Sequence, residues 1–214
     1  MLVISMGFCF TVSHAQKKVA ELTLVYETII SNADNQPKSS DAGGATTTVY
    51  LKGNMSRSEM SSPLASFTAI HDSKTGAGVI LQEISGQKLL IRMTAENWKD
   101  KNRRYENISF TNTGETKVIA GYKCMQAKAA TKDGSVFTVY YTKDLIPENT
   151  GYNPQFSNLD GLPLEYEFVQ GNLKIKYTLS KINMNPVPVS KFDIPKSGYR
   201  ELTYEESRKL GIGN

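Results

Sequence analysis

The chain has little of what most enzymes use. Its 214 residues include only two histidines and two cysteines. One of each, His14 and Cys9, falls in the first fifteen residues, so the remainder holds His71 and Cys124 alone. That remainder cannot form an internal disulfide, and its stability has to come from a core. One His and one Cys cannot assemble the usual zinc ligand sets, and no run has the spacing of a calcium-binding loop. A Ser-His-Asp or Cys-His arrangement would have to use His71, and no nucleophile-elbow motif accompanies it. The expectation is therefore no cofactor, no metal and no catalytic set. Charge of one sign is also scarce: 25 basic against 21 acidic residues leave a net +4. So mild an excess does not point to a nucleic-acid partner. No run after the first fifteen residues approaches the length needed to cross a bilayer.

What is present begins with a targeting pattern. Leu2 to Val12 is an apolar run of signal-peptide length, followed by the small-x-small triplet Ser13-His14-Ala15 and polar Gln16-Lys17-Lys18. Met1 is followed by no Lys or Arg, a departure from the usual charged start. Bulky Phe8 before Cys9 argues against a lipoprotein cysteine. The reading is a cleaved signal over 1–15, a single β-rich domain over 16–214, and a periplasmic or secreted product.

Beyond residue 19 the pattern is period two, which specifies half-exposed strands. Leu164, Tyr166 and Phe168 alternate with Glu165 and Glu167; after Gly171-Asn172, Leu173, Ile175, Tyr177 and Leu179 alternate with Lys174, Lys176 and Thr178. A two-residue turn at Gly171-Asn172 sets Phe168 opposite Ile175, Tyr166 opposite Tyr177 and Glu167 opposite Lys176. A second hairpin joins Tyr122–Thr131 to Val136–Thr142 through Asp133-Gly134. Further strands are expected over Ala20–Ser31, Thr46–Lys52, Ser66–Asp72, Gly78–Ile84, Lys88–Met93 and Tyr105–Phe110. Asn35–Thr48 reads as a long polar loop or hairpin tip, and Thr142–Leu162 as an irregular crossing. Only the C-terminus carries helix signals: a Thr203/Glu206 capping box after Leu202, closed by Gly211.

Few side chains stand out for chemistry. His71 sits on an alternating strand with Phe67 and Ala69, an ordinary setting for histidine. Cys124 reads as a small buried hydrophobe. The basic stretch Trp98 to Tyr105 reads as a solvated hairpin loop with both aromatics at its base. The alternative for that stretch is a patch for phosphate head groups or for a partner's acidic surface. Loop carboxylates Asp144, Glu148 and Asp160 are the remaining candidates for an acid–base hydrolase.

The segment Phe156 to Glu165, with its Gly161-Leu162-Pro163-Leu164 core, resembles the signature of the GLPGLI family of exported bacterial proteins, without the second glycine. Thr116–Cys124 and the aromatic strand Thr138–Thr142 precede it in the order seen there. The resemblance covers about residues 115–180. Such families are similar to the envelope carriers LolA and LolB. This implies a mainly β fold: a single curved antiparallel sheet, a half-open barrel, with a few short helices including one at the C-terminus. Many alternating strands, few helices, no catalytic set and export give the leading reading: a non-catalytic binding or carrier module for an apolar or amphiphilic ligand, a lipid or lipoprotein, with peripheral membrane contact. Leu162, Leu164, Tyr166 and Phe168 are its candidate ligand-binding residues. The alternative is an envelope interaction protein whose concave face is filled by its own side chains. The signal reading is checked by the intact mass of exported material, which should correspond to a first residue of Gln16; a retained Met1 would contradict it.

Overall fold

The computed structural model describes residues 16–32, 44–170 and 172–212. The expected signal 1–15, residues 35–43 of the polar loop and Gly171 lie outside them. Strands β1 (Lys17–Val19), β2 (Glu21–Asn32), β3 (Ala45–Lys52), β4 (Met55–Ser61), β5 (Ala65–Asp72), β6 (Gly78–Ile84) and β7 (Gln87–Met93) come first. Helix α1 (Ala95–Lys101) and a 3₁₀ turn (Arg103–Tyr105) follow. Next are β8 (Phe110–Ile119), β9 (Tyr122–Ala130), β10 (Val136–Thr142) and β11 (Leu145–Pro147). Two 3₁₀ turns, Thr150–Tyr152 and Pro154–Phe156, lead to β12 (Leu162–Gln170) and β13 (Leu173–Asn183). A 3₁₀ turn (Val189–Phe192), β14 (Arg200–Leu202) and α2 (Tyr204–Lys209) complete the fold.

Twelve strands form one curved, open sheet in the order β14-β7-β6-β5-β4-β3-β2-β13-β12-β10-β9-β8, with β1 and β11 as a separate parallel pair. Every pairing in the large sheet is antiparallel except β14 with β7. Strands β2 to β7 form a meander and β8 to β10 a second one. The β12–β13 hairpin joins the two, with β13 pairing with β2 and β12 with β10. The mainly β architecture with a short C-terminal helix is as expected.

The β12–β13 hairpin adopts the expected register: Tyr166 faces Tyr177, Glu167 faces Lys176 and Phe168 faces Ile175. The β9–β10 hairpin and the Thr203/Glu206 capping box are likewise present. Four features differ from expectation. Trp98 to Tyr105 is not a hairpin loop but α1 and a 3₁₀ turn, started by a capping box in which the Thr94 side chain accepts from the Asn97 amide. Asn97 stands where Glu or Gln is usual, which hides the signal. The strand expected over Tyr105–Phe110 starts only at Phe110. Ala45, expected within the loop, opens β3, and the expected strand Thr46–Lys52 follows it, so the loop ends earlier than Thr48. Strand β4 was not anticipated, because Ser56, Arg57, Ser58 and Glu59 give it no apolar alternation.

The core occupies both faces of the sheet. On the concave side Leu22, Leu24 and Tyr26 of β2 pack with Val139, Leu162, Leu164 and Leu179 beneath Phe156 and Leu159 of the crossing segment. At the other end Ile80, Ile91 and Met93 meet Leu202 and Tyr204, with Trp98 against them. On the convex side Ile70, Val79, Leu81 and Leu90 are covered by Val187 and Phe192. The inner strands β6 and β7 are therefore apolar on both faces, as two-sided burial requires.

The Gly-Leu-Pro segment is explained by this packing. A Cβ on Gly161 would lie 2.3 Å from the Thr142 carbonyl oxygen, so only glycine fits. Pro163 sits at the register shift between Tyr140 and Tyr141, where a missing N–H is tolerated, and its carbonyl accepts a 2.9 Å bond from the Tyr26 hydroxyl. Leu162 and Leu164 are fully buried. Leu164→Ala should lower unfolding free energy by about 2–5 kcal/mol in urea denaturation. Gly161→Ala should cost more than about 2 kcal/mol, because the clash is with backbone that cannot move aside.

Candidate functional site

Side-chain size along the cross-strand rows decides where the concave face is filled. The register aligns Leu24, Val49, Ser58, Ala69 and Ile80 in one row, and Tyr26, Thr47, Met60, Phe67 and Gln82 in the next. Ser58 and Ala69 are small where the next row has Met60 and Phe67. Both stay partly exposed, and among the described residues a cleft of about 720 Å³ remains over them, between the crossing segment and α1. Its floor is the concave face of β2 to β6, and one wall comes from Tyr166, Phe168, Leu173, Ile175 and Tyr177 of the β12–β13 hairpin. Trp98, Lys101, Asn102 and Tyr105 form the opposite lip. Tyr152 to Gln155 and Ile212 close the ends.

The four candidate residues fall on two sides of this wall. Tyr166 and Phe168 line the cleft, whereas Leu162 and Leu164 are 0% exposed and belong to the packed core. Alternation places Tyr166 and Phe168 on one face, and the register shift between Glu165 and Pro163 interrupts it before Leu162. The crossing segment buries Leu162 and Leu164 wholly and also reaches Tyr166, whose ring meets Phe156 edge-on at 4.7 Å, whereas Phe168 stays partly exposed.

Aromatic rings give the hairpin wall its form. Tyr177 stacks on Tyr166 at 4.8 Å between centroids and on Phe168 at 5.9 Å, and Tyr26 meets Tyr166 edge-on at 6.0 Å. Burial, reinforced by neighbouring phenols, pushes Tyr26 and Tyr166 far above the usual tyrosine range; Tyr177 is pushed up to about 12. The phenols are thus neutral donors at physiological pH. Three buried donors of the lining, Trp98 Nε1, Tyr152 OH and Gln155 Nε2, find no hydrogen-bond partner among the described residues. Each such group costs about 1–3 kcal/mol while unsatisfied.

The other candidates do not assemble into a site. The His71 ring packs edge-on against Trp98 at 5.3 Å. Burial lowers its pKa, opposed by the charge of Asp72. The Asp72 carboxylate accepts from the Lys74 amide and the Thr75 hydroxyl rather than from the imidazole. Cys124 is fully buried and free, its thiol pushed up to about 11 by desolvation. Asp160 pairs with Lys143 at 2.8 Å. No group of three or more His, Cys, Asp and Glu side chains is placed to hold a metal among the described residues. The basic stretch is partly neutralised: Arg104 pairs with Asp133 at 3.2 Å, and Arg103 lies 3.7 Å from Asp100.

The model of a family described as a domain of unknown function, DUF4412, matches residues 37–199. The chain belongs to this family. No curated protein matches it. Among solved structures, this DUF4412 chain is similar to PNGF-II, with 11% identity and a TM-score of 0.50 over 90% of the chain. It spans only 33% of PNGF-II, and the likeness shows the fold alone. A LolA superfamily protein, NE2245 from Nitrosomonas europaea, matches 81% of the DUF4412 chain and 90% of its own length at 10% identity and a TM-score of 0.38. MucB of the Pseudomonas aeruginosa MucA/MucB complex matches 82% of this chain and 56% of its own at 9% identity and 0.42. No helix among the described residues is long and apolar enough to cross a membrane.

The lowered His71 pKa has a definite sign. Between the unfolded value near 6.5 and its lower folded value, the unfolded state binds the extra proton, so acidification favours unfolding. The stability is present above about 6.5 and is lost as pH falls through the folded value. His71→Phe should flatten the loss between roughly pH 6.5 and 5, above the range where carboxylates titrate. Melting temperature against pH for both proteins measures this, and ligand binding should be the same in both.

Proposed function

We propose that this DUF4412 protein is an exported, non-catalytic binding or carrier module whose cleft takes the hydrocarbon chain of an amphiphile, a lipid or lipoprotein. The observation that carries the reading is the cleft itself: about 720 Å³ on the concave face, walled by Ile30, Val49, Phe67, Ile80, Phe168 and Ile175. That volume lies within the range of about 300–1,000 Å³ that suits small-molecule sites. Export rests on the Leu2–Ala15 pattern, and the GLPGLI-like segment fits the same class of envelope protein. A sheet face filled by its own side chains was the competing arrangement. Small Ser58 and Ala69 in mid-row speak against it, because a closed core would place large side chains there.

The reading is tested with a fluorescent hydrophobic probe displaced by single-chain amphiphiles of increasing length. Each added methylene should tighten binding by about fourfold, corresponding to roughly 0.8 kcal/mol, until the cleft is full. Ala69→Trp should abolish probe binding while leaving the melting temperature nearly unchanged, since the new ring enters open space. Phe168→Ala should weaken binding severalfold and cost less stability than Leu164→Ala, because a cleft-facing ring has fewer packing partners. A wild-type protein that binds neither probe nor amphiphile would overturn the proposal and favour the interaction-protein reading.

A further inference from the structure

One residue of the cleft floor breaks the apolar pattern of its strand. On β6, Val79 and Leu81 join the convex cluster, while Ile80, Gln82 and Ile84 line the cleft. Gln82 lies between Ile80 and Ile84 along the strand, and between Phe67 and Leu89 across it. It is only 5% exposed, yet its carboxamide finds no hydrogen-bond partner among the described residues. The wholly covered, unpartnered polar atoms of the lining belong to Trp98, Tyr152 and Gln155, so the little surface that Gln82 keeps includes its amide. On this face that surface opens into the cleft.

Other polar groups of the lining are bonded within the protein. The Tyr26 hydroxyl donates to the Pro163 carbonyl, the Thr47 hydroxyl meets that of Thr28, and Asn102 Nδ2 donates to the Trp98 carbonyl, each at 2.9 Å. A leucine in place of Gln82 would cover the same floor with no polar group to desolvate, and a buried amide is costly unless it is bonded. A carboxamide offers both donors and an acceptor. Its match is a neutral group that does both, since an ester or ketone only accepts and a charge is costlier still to desolvate. Ile80 and Ile84 continue the lining on both sides of Gln82, so the group it meets has hydrocarbon on both sides as well.

We propose that Gln82 is a specificity residue of the cleft, and that the ligand carries a neutral donor–acceptor group, a hydroxyl or a carboxamide, within its apolar chain. This rests on the reading of the cleft as an apolar-chain site. Dihexyl ether, dihexyl ketone, dihexylcarbinol and N-hexylhexanamide match in length and differ in the group at mid-chain, with no charge and no head. Each is measured by displacing a fluorescent hydrophobic probe from the wild type and from Gln82→Met, which keeps the length of the side chain and removes the amide. The affinity of the carbinol, the amide or both, taken relative to the ether, should fall about tenfold from wild type to Gln82→Met. A fall for only one of them identifies the group. Ser58→Ala, which removes a hydroxyl elsewhere on the floor, should leave these ratios unchanged.

Ratios that stay the same in Gln82→Met, or that move in Ser58→Ala instead, would overturn the assignment while leaving the cleft reading intact. A ketone ratio that falls as far as the carbinol's would overturn the donor–acceptor chemistry. Failure of all four to bind the wild type would remove both readings. Each comparison is a ratio within one protein, so a change in stability does not obscure it. Should Gln82→Met not fold, Gln82→Asn draws the amide back by one methylene and should lower the same ratios severalfold; equal ratios there would overturn the assignment.

Discussion

Everything about the concave face depends on one ladder, the pairing of β13 with β2. Leu173 to Leu179 runs against Tyr26 to Asn32, and after a bulge the pairing continues through Lys181 to Asn183 against Thr23 to Val25. On one side of this seam lies the β2–β7 meander; on the other lie β8 to β10 and β12. Each half exposes an apolar face that it cannot bury alone. Joined, they give one curved surface on which Ile175 stands beside Ile30 and Tyr177 beside Thr28. The cleft wall of Tyr166, Phe168, Ile175 and Tyr177 and the cleft floor of β2 to β6 are continuous only because of it.

The same face is both core and cavity, and the division follows from where the chain crosses. Residues 143–161 pass over β10, β12 and β2, pressing Phe156 and Leu159 onto Val139, Leu162 and Leu164. That half is dry and closed, which suits the large residues found there. The other half receives only α1, the end of α2 and a few side chains of the lip. Apolar packing on the concave face is thus densest under the crossing, and Ser58 of β4 and Ala69 of β5 carry little of it. A substitution such as Ala69→Trp can therefore change occupancy without touching what holds the molecule together.

Much of the sheet was legible where both faces differ in polarity. The β12–β13 register followed from Tyr166, Phe168, Ile175 and Tyr177 alternating with charge, since a slip by one would bury Glu167 and Lys176. The β4 strand was illegible for the converse reason: Ser56 and Ser58 face the cavity side and Arg57 and Glu59 the other, so neither face is apolar. The feature that makes the cleft, small polar residues in a floor strand, is the feature that hides the strand. Helix α1 was hidden by its Asn97 cap partner and by an absence of buried residues. The candidate residues were half resolved, because alternation assigns Tyr166 and Phe168 a face but is interrupted at Pro163 before Leu162. Only the path of the crossing segment tells which of them it covers.

The covering elements are the least rooted part of the fold. Helix α1 buries no residue fully and sits on the sheet mainly through Trp98. It is tied to α2 through Asp100, whose carboxylate accepts from the Tyr204 hydroxyl at 3.0 Å and from Arg208 at 3.1 Å. These are partly exposed polar contacts, each worth little in water. Elements with few buried apolar contacts open at small free-energy cost. Under the proposed carrier function, an open half-sheet that admits and releases an apolar chain needs its rigid side under the crossing segment and its loose side over the cleft. The chain places its large core residues and its weak ties in that order. Asp100 thus ties α1 to α2, while Trp98 holds the same helix against the sheet.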